Sequence, residues 1–321
     1  MLNTYKPEGY QISSQRNRES LSCRASLERA MATGAILEGI VSLCDNDYNL
    51  HVELDGIHGI IPRSEAVYNN DGSEIKDIAI ITRVGKPVCF KIIGISESDG
   101  KCVALLSRRL AQIECYNNYI STLTVGDIVN AKVTHLETFG AFCDIGCGII
   151  ALLSIDSISV SRIQHPKDRL FLGMQLRAII KHVDETNNRI FLTTKELLGT
   201  WSENASEFSP GQTVAGIVRS IESYGVFIEL TPNLAGLAEI KDGFLLSNGG
   251  IIDESCIGKC TAVYIKSIIP ERMKIKLVII DSYKTEPKNQ PFKYYIDENM
   301  THIDYWKYSP EGAKKVIEST F

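Results

Sequence analysis

The chain has 321 residues, of which 44% are hydrophobic and 23% are charged, and its formal net charge is −5. This length suits two or three domains, and the composition is that of a globular protein with packed cores. The acidic balance argues against indiscriminate nucleic-acid binding, which is driven by phosphate neutralisation, but it leaves room for a local groove that combines stacking with a few basic residues.

Signals for targeting, membrane insertion and metal binding are weak. The N-terminus lacks a basic region followed by an apolar run, and no window reaches the ~18 apolar residues of a membrane span, so we expect a cytoplasmic protein without membrane contact. The nine cysteines are scattered, and the pairs Cys143/Cys147 and Cys256/Cys260 lack the spacing and the partners of a zinc site. We expect reduced thiols, no metal and no cofactor.

The first 33 residues are polar until about Arg16 and then become helical in pattern. Leu21, Leu27 and Met31 recur near helical spacing, which predicts a short helix over 19–31. This helix either braces the domain that follows or docks a partner.

A motif of a long strand, an aromatic pair and a glycine turn then occurs three times, about 85–90 residues apart. This period is too long for a solenoid unit and favours an array of small domains. In the first copy, which is the most acidic, Tyr48 and His51 occupy the aromatic positions, and a polar loop follows Tyr68. Leu110 and Ile113 then share one face of a predicted linker helix.

The second copy is the clearest. It consists of a long strand from Val133, the run Phe139-Gly140-Ala141-Phe142, a Gly146–Gly148 turn and an apolar run to Ile155. Residues three apart on a regular strand face opposite sides, so we expect Gly140 to reset the register through a bulge or a positive φ and to bring both rings to one face. Two such rings are typical of a platform for single-stranded nucleic acid, and an ordinary core position is the alternative.

A group of basic residues follows this copy and has two interpretations. Arg162, His165, Lys167 and Arg169 form either a solvated loop or a patch that follows the phosphates of a nucleic acid.

The third copy repeats the pattern as Tyr224-Gly225-Val226-Phe227. Before it, Trp201 is predicted to pack where two domains meet rather than to stack on a base. At the C-terminus, Ser309 as an N-cap and Pro310 at the first helical position predict a short amphipathic helix that reaches Phe321.

These motifs resemble the S1 RNA-binding domain, a five-stranded OB-fold barrel, and the whole array is similar to the bacterial small-subunit ribosomal protein S1 family. The resemblance covers roughly residues 34–281. It implies an all-β chain of three tandem five-stranded OB-fold barrels, joined by short helical linkers and flanked by short terminal helices. The units are an N-terminal extension at 1–33, barrels at 34–107, 123–195 and 208–281, linkers at 108–122 and 196–207, and a C-terminal extension at 282–321.

The resemblance also implies the RNA-binding residues, which are Phe139, Phe142, Asp184 and Arg189 in the second copy and Tyr224, Phe227 and Lys274 in the third. Arg189 can bind phosphate or lie flat on a base, and Asp184 can orient it or accept a hydrogen bond from a base edge. This chain departs from the family at Ser154 and Glu239, which replace a histidine. Because Glu239 would repel phosphate, we expect weaker binding in the third copy.

No catalytic motif is present: the histidines are dispersed, and there is no nucleophile elbow and no phosphate-binding loop. The sequence therefore predicts a non-catalytic protein that binds single-stranded RNA, namely mRNA, at the small ribosomal subunit. The family implies that the degenerate first copy contacts ribosomal proteins. The alternatives are a protein-interaction adaptor and an accessory factor of RNA metabolism that works away from the ribosome.

Overall fold

The computed structural model describes residues 5–69, 75–98, 101–239, 253–282 and 291–321. Within these ranges, fifteen strands form three closed five-stranded barrels, and two further strands form a small sheet near the C-terminus. Most of the polar loop predicted after Tyr68 and residues 283–290 of the predicted C-terminal extension lie outside the described residues.

Two helices, rather than the single predicted one, precede the first barrel. They are α1 (Gln15–Leu21) and α2 (Arg24–Thr33). The hydroxyl of Ser14 caps α1 by accepting a hydrogen bond from the backbone N–H of Asn17 at 3.2 Å. Leu21 and Leu27 are buried in the core of the first barrel, so the two helices brace that barrel.

The first barrel is formed by β1 (Leu37–Cys44), β2 (Leu50–Leu54), β3 (Ile57–Ile61), β4 (Pro87–Ser98) and β5 (Lys101–Ser107), with the short helix α3 (Asp77–Ile81) between β3 and β4. Neighbouring strands follow the order β1-β2-β3-β5-β4, and β4 pairs with β1 to close the barrel. The β3–β5 pair is parallel, whereas the other pairs are antiparallel.

The second barrel follows the linker helix α4 (Arg108–Asn118). Its strands are β6 (Ile128–Glu137), β7 (Gly140–Gly146), β8 (Ile149–Ser154), β9 (Gln175–Asp184) and β10 (Arg189–Thr193). Inward-facing side chains alternate along β7, where Ala141, Cys143 and Ile145 are fully buried. The Cys143 thiol thus acts as a small hydrophobic group in the core.

The third barrel follows a second linker helix, α5 (Trp201–Ala205). Its strands are β11 (Thr213–Glu222), β12 (Gly225–Thr231), β13 (Leu234–Glu239), β14 (Cys260–Ile269) and β15 (Lys274–Ser282). All three barrels share one strand order, which confirms the predicted array of OB-fold barrels with helical linkers. Trp201, at the start of α5, is buried in the core of the third barrel.

The predicted C-terminal helix is wrong. Tyr305–Lys307 and Glu318–Thr320 form two antiparallel strands, β16 and β17, and Trp306 is buried against the third core. The hydroxyl of Ser309, predicted to cap a helix, accepts a hydrogen bond from the backbone N–H of Ile317 at 2.8 Å. Burial of Trp306 therefore outweighs the local capping signal, and Gly312, at φ 76°, lies outside the helical region.

The segments at the two ends of the chain each cross a junction between barrels. Near the N-terminus, the Glu8 carboxylate accepts hydrogen bonds from Nε and Nη2 of Arg108 at 2.7 and 3.1 Å, while its backbone N–H donates to Oδ2 of Asp144 at 2.7 Å. The backbone N–H of Cys89 on β4 also donates to Oε1 of Glu8 at 3.1 Å, so Glu8 joins the first barrel, through Cys89, to the second barrel, through Asp144 on β7.

The C-terminal segment contacts the second barrel and the second linker. The N–H of Ile303 donates to the carbonyl of Gly126 at 3.0 Å, and the N–H of Trp201 donates to the carbonyl of Tyr308 at 2.9 Å. The segment therefore ties the start of the second barrel to α5.

Candidate nucleic-acid interface

The predicted aromatic pair of the second barrel lies on its outer surface. The rings of Phe139 and Phe142 are 6.0 Å apart between centroids and nearly perpendicular, at 89°. Phe139 is 53% exposed, whereas Phe142 is half-buried. The edge-to-face contact holds the rings together and leaves ring surface open to a ligand.

Gly140 brings the rings together by a route other than the predicted one. Phe139 lies in the turn that precedes β7, and Gly140 is an ordinary ladder residue paired with Glu137 and with Ser154. A Cβ on Gly140 would lie 2.5 Å from the carbonyl oxygen of Leu153, so close backbone approach requires the glycine. The register shift that we expected at Gly140 lies on β6, between Val133 and His135.

Phe142 belongs to a row of side chains that runs across all five strands. Strand register places Phe142 opposite His135 and Leu152, Leu152 beside Phe191, and Phe191 opposite His182. The ring centroids of His135 and Phe142 are 6.3 Å apart, and those of His182 and Phe191 are 5.9 Å apart. We call these five residues the binding row.

The sequence interpretation missed His135, Phe191 and His182. Phe191 lies two residues after Arg189, so strand alternation would have placed both on one face. The two histidines could not be assigned in this way, because bulges after Val133 and near Phe191 shift the register.

Asp184 and Arg189 are directly opposite each other where β9 and β10 meet, which places Arg189 two positions along the same face from Phe191. The Asp184 carboxylate accepts hydrogen bonds from the backbone N–H and side-chain amide of Asn187 at 3.1 and 2.8 Å. These bonds lower the pKa of Asp184, so its carboxyl group stays negatively charged. The Arg189 side chain is exposed.

The third barrel reproduces this geometry with fewer rings. Tyr224 and Phe227 are 6.2 Å apart at 88°, and Tyr224 is 57% exposed. A Cβ on Gly225 would lie 2.5 Å from the carbonyl oxygen of Ala238, the same close approach as at Gly140. The register places Lys276 where the second barrel has Phe191.

The charged residues of the third barrel occupy the predicted positions. Lys274 pairs with Ile269 at the start of β15, which matches Arg189 opposite Asp184. Glu239 lies opposite Gly225, which matches Ser154 opposite Gly140. Its carboxylate is 3.5 Å from Nζ of Lys276, so one carboxylate offsets one of the cations on this face.

In the first barrel, the matching aromatic positions already have intramolecular partners. Nδ1 of His51 is 2.9 Å from Nε2 of His58, and Nε2 of His51 is 3.0 Å from the Asp45 carboxylate. The guanidinium of Arg63 lies 4.9 Å from the centroid of the Tyr48 ring. Strand register places Leu43 and Leu105 in the row of the first barrel that passes through His51, and both side chains are aliphatic and exposed.

The basic residues after the second copy do not form one solvated patch. Arg162 is exposed, but Arg169 is buried and pairs with Glu229 of the third barrel. The phosphate-tracking interpretation is therefore wrong for Arg169, because a carboxylate from the next barrel already neutralises its guanidinium.

The described ranges contain no group of three or more His, Cys, Asp or Glu side chains that could hold a metal ion. None of the helices in these ranges combines the length and hydropathy needed to cross a bilayer.

Comparison with known proteins agrees with this geometry. The model of the S1 RNA binding domain family matches residues 31–105 and 122–195. The small ribosomal subunit protein bS1 homolog of Bacillus subtilis is 32% identical over 192 residues, which are 58% of this chain and 48% of the relative. The homolog of Bacillus cereus is 25% identical over 270 residues, covering 82% of this chain and 64% of the relative.

Another relative is bS1 of Rhizobium meliloti, which is 29% identical over 221 residues, covering 67% of this chain and 37% of the relative. The chain thus spans about half the length of the curated relatives it matches. A crystal structure of a multidomain protein with nucleic acid binding domains from Streptococcus pneumoniae covers 83% of this chain and 76% of its own at 16% identity, with a TM-score of only 0.24. From its barrels and from these sequence matches, the first two barrels, at 31–105 and 122–195, match the S1 RNA binding domain, and the chain is similar to the bacterial small ribosomal subunit protein bS1.

Proposed function

We propose that the second and third barrels hold single-stranded RNA by base stacking, and that the chain acts without catalysis as an mRNA-binding protein of the small ribosomal subunit. One observation carries this proposal: an exposed, perpendicular pair of rings beside a close-packed glycine occurs at the same place in two successive barrels. Stacking on such rings contributes about 1–3 kcal/mol per base and tolerates any sequence.

The second barrel is proposed as the main site. Its binding row adds Phe191 and two histidines to the ring pair, and the exposed Arg189 supplies a cation on the same face. In the third barrel, Lys276 replaces the Phe191 ring and lies beside Glu239, so we expect weaker binding there.

The first barrel is proposed to contact a protein of the small ribosomal subunit. Its matching ring positions have internal partners, and the row presents Leu43 and Leu105, which are 54% and 40% exposed. The relatives are small ribosomal subunit proteins by name, which favours the ribosome, and with it the cytoplasm, over an adaptor or accessory role elsewhere.

The direct test is a titration of the full chain with single-stranded and duplex oligoribonucleotides of one sequence, followed by fractionation of ribosomes. We expect tight binding of the single strand, poor binding of the duplex and co-sedimentation with the small subunit. Duplex RNA is recognised through its phosphates and 2′-hydroxyls rather than by stacking, so a preference for duplex would contradict the proposal.

A further inference from the structure

A cavity of about 380 Å³ lies at the junction of the first and second barrels, within the range of small-molecule sites. The first barrel and its linker contribute Tyr68, Arg83 and Tyr116, and the second barrel contributes Ile150, Asn187 and Asn188. The cavity is thus formed only when the two barrels are docked.

The wall of this cavity is fixed by a buried amide. Oε1 of Gln112 accepts hydrogen bonds from the backbone N–H of Tyr68 at 2.9 Å and from Nη1 of Arg108 at 3.2 Å. Its Nε2 donates to the carbonyl of Cys147 in the second barrel at 3.0 Å. One side chain therefore connects the loop of Tyr68, the linker helix and the second barrel.

Arg83 adds a positive charge near that of Arg108, and two buried carboxyl groups, Glu8 and Asp144, interact with this pair. Burial raises the pKa of Asp144 to about 7, so the two carboxyl groups compensate the two guanidinium groups only in part. Its Nε is buried and has no hydrogen-bond partner among the described residues. Its Nη1 is 3.8 Å from the Glu8 carboxylate, but both oxygens of Glu8 are already bonded to Arg108. Burial, followed by the charge of Arg108, lowers the pKa of Arg83, so its charged form is held at a cost.

A phosphate would meet the need of this guanidinium. Arginine presents several N–H groups in a planar fork that matches phosphate oxygens, and the Arg83 side chain is 22% exposed although its Nε is buried, so a phosphate would contact the exposed part of the side chain. The rings of Tyr68 and Tyr116, 6.0 Å apart and tilted by 59°, offer aromatic surface in the same cavity. Cation and rings together match a nucleotide, which carries both a phosphate and a base.

The cavity is continuous with the face that carries the binding row. Ile150 lies two residues before Leu152 on β8, so both side chains face the same side of the sheet, and Ile150 lines the cavity. Asn188, which also lines it, directly precedes Arg189. An RNA strand that runs along the binding row and past Arg189 would therefore reach the cavity without leaving the second barrel.

From these contacts we propose that the junction cavity binds one nucleotide of the RNA strand held on the second barrel, with Arg83 on a phosphate and Tyr68 or Tyr116 against a base. This inference rests on the proposed function and extends the RNA track across the first junction. It gives the first barrel a part in RNA binding, although its own aromatic positions are occupied.

The test compares the affinity of the full chain for oligouridylates lengthened one nucleotide at a time. In the wild type we expect affinity to rise in one step of about 5–10-fold at a single oligomer length. The variants Arg83→Gln and Tyr116→Leu should lose that step. Both variants should bind shorter oligomers with the affinity of the wild type. Arg24→Gln removes an exposed arginine on α2, outside the cavity lining, and should keep the step. Uridine monophosphate is titrated in parallel as the free-nucleotide probe.

A crosslinking experiment tests the proposal even if a junction variant fails to fold, because it uses the unaltered chain. In the unaltered chain, an oligomer that carries one 4-thiouridine at each position in turn should crosslink to Tyr68 or Tyr116 from a single position. Equal length dependence in all variants, absence of that crosslink, or saturable binding of uridine monophosphate without any length step would each overturn the assignment. If the oligomers failed to bind the wild type at all, the proposed function would fail instead.

Discussion

Arg169 of the second barrel and Glu229 of the third form a buried ion pair across the junction between the two barrels. Nη1 of Arg169 is 2.5 Å from Oε1 of Glu229, and the two side chains are 5% and 3% exposed. Nε of Arg219 donates to Oε2 of the same carboxylate at 2.8 Å. One buried carboxylate thus pairs with two guanidinium groups, of which Arg219 also lies 3.8 Å from the Asp168 carboxylate, and it fixes the third barrel against the second.

Glu229→Gln should therefore destabilise the chain strongly. It leaves the buried guanidinium of Arg169 without a countercharge and that of Arg219 with only the Asp168 carboxylate, 3.8 Å away, and breaking a buried pair costs about 3–5 kcal/mol. Urea unfolding, followed by the fluorescence of Trp201 and Trp306 in the third core, measures the loss. Lys293→Met, which breaks the more exposed pair with Glu207, is the control and should change little. Equal midpoints for the two variants would contradict this account.

The ring pair of the second barrel should dominate RNA affinity. Replacing Phe139 and Phe142 by Ala removes two stacking surfaces, so we expect single-stranded RNA to bind at least ~10-fold more weakly. The same change at Tyr224 and Phe227 should weaken binding less. In the third barrel Lys276 stands where the second barrel has the Phe191 ring, and the Glu239 carboxylate offsets the charge of Lys276. Fluorescence anisotropy with a labelled oligoribonucleotide measures both losses. Tyr305→Ala removes an exposed ring elsewhere and serves as the control.

Arg189 should set part of the salt dependence. If its guanidinium neutralises one phosphate, Arg189→Ala lowers the slope of log affinity against log salt by about 0.7, the value per phosphate on a single strand. Titration at several salt concentrations gives the slope. Arg24→Ala, on α2, should leave it unchanged. A slope unaffected by Arg189→Ala, together with weaker binding, would mean that the guanidinium lies on a base instead.

The exposed leucines of the first barrel should matter for the ribosome and not for RNA. Leu43→Ser with Leu105→Ser removes apolar surface that a partner would bury, so we expect less co-sedimentation with the small subunit. Affinity for short oligoribonucleotides should stay at the wild-type value. Ile280→Ser with Val316→Ser, two exposed aliphatic residues in the third barrel and the C-terminal segment, is the matched control. Loss of RNA binding with intact co-sedimentation would reverse the assignment.

Glu38 should make stability fall as the pH rises. Burial raises the pKa of this carboxyl from 4.5 to about 7, so the folded chain keeps its proton at a pH where the unfolded chain has lost it. The resulting stability is complete below about 4.5 and is lost as the pH rises through about 7, a change on the order of 3 kcal/mol. Urea midpoints between these pH values should decline in the wild type and decline less in Glu38→Gln. Parallel curves would contradict the assignment.

The sequence by itself determined the three repeated units and the two ring pairs, and its resemblance to the S1 RNA-binding domain implied that each unit is a barrel. Strand alternation, the glycine turns and the recurrence of an aromatic residue, a glycine and a second aromatic residue are local patterns, and local patterns specify strands and hairpins. The sequence also indicated that Gly140 has a structural role. The reason for a glycine there is the close approach of its backbone to Leu153, which depends on the neighbouring strand and is not visible along the chain.

Tertiary structure decided what depends on contacts between distant parts of the chain. Phe191 lies in one row with Phe142 because barrel closure places β10 beside β8. Arg169 is buried rather than exposed because it pairs with Glu229 of the third barrel. The C-terminal residues became strands because Trp306 gains more from burial against the third core than an isolated short helix gains from its cap. In each case the deciding free energy comes from burial or pairing with a partner remote in sequence, which no local pattern encodes.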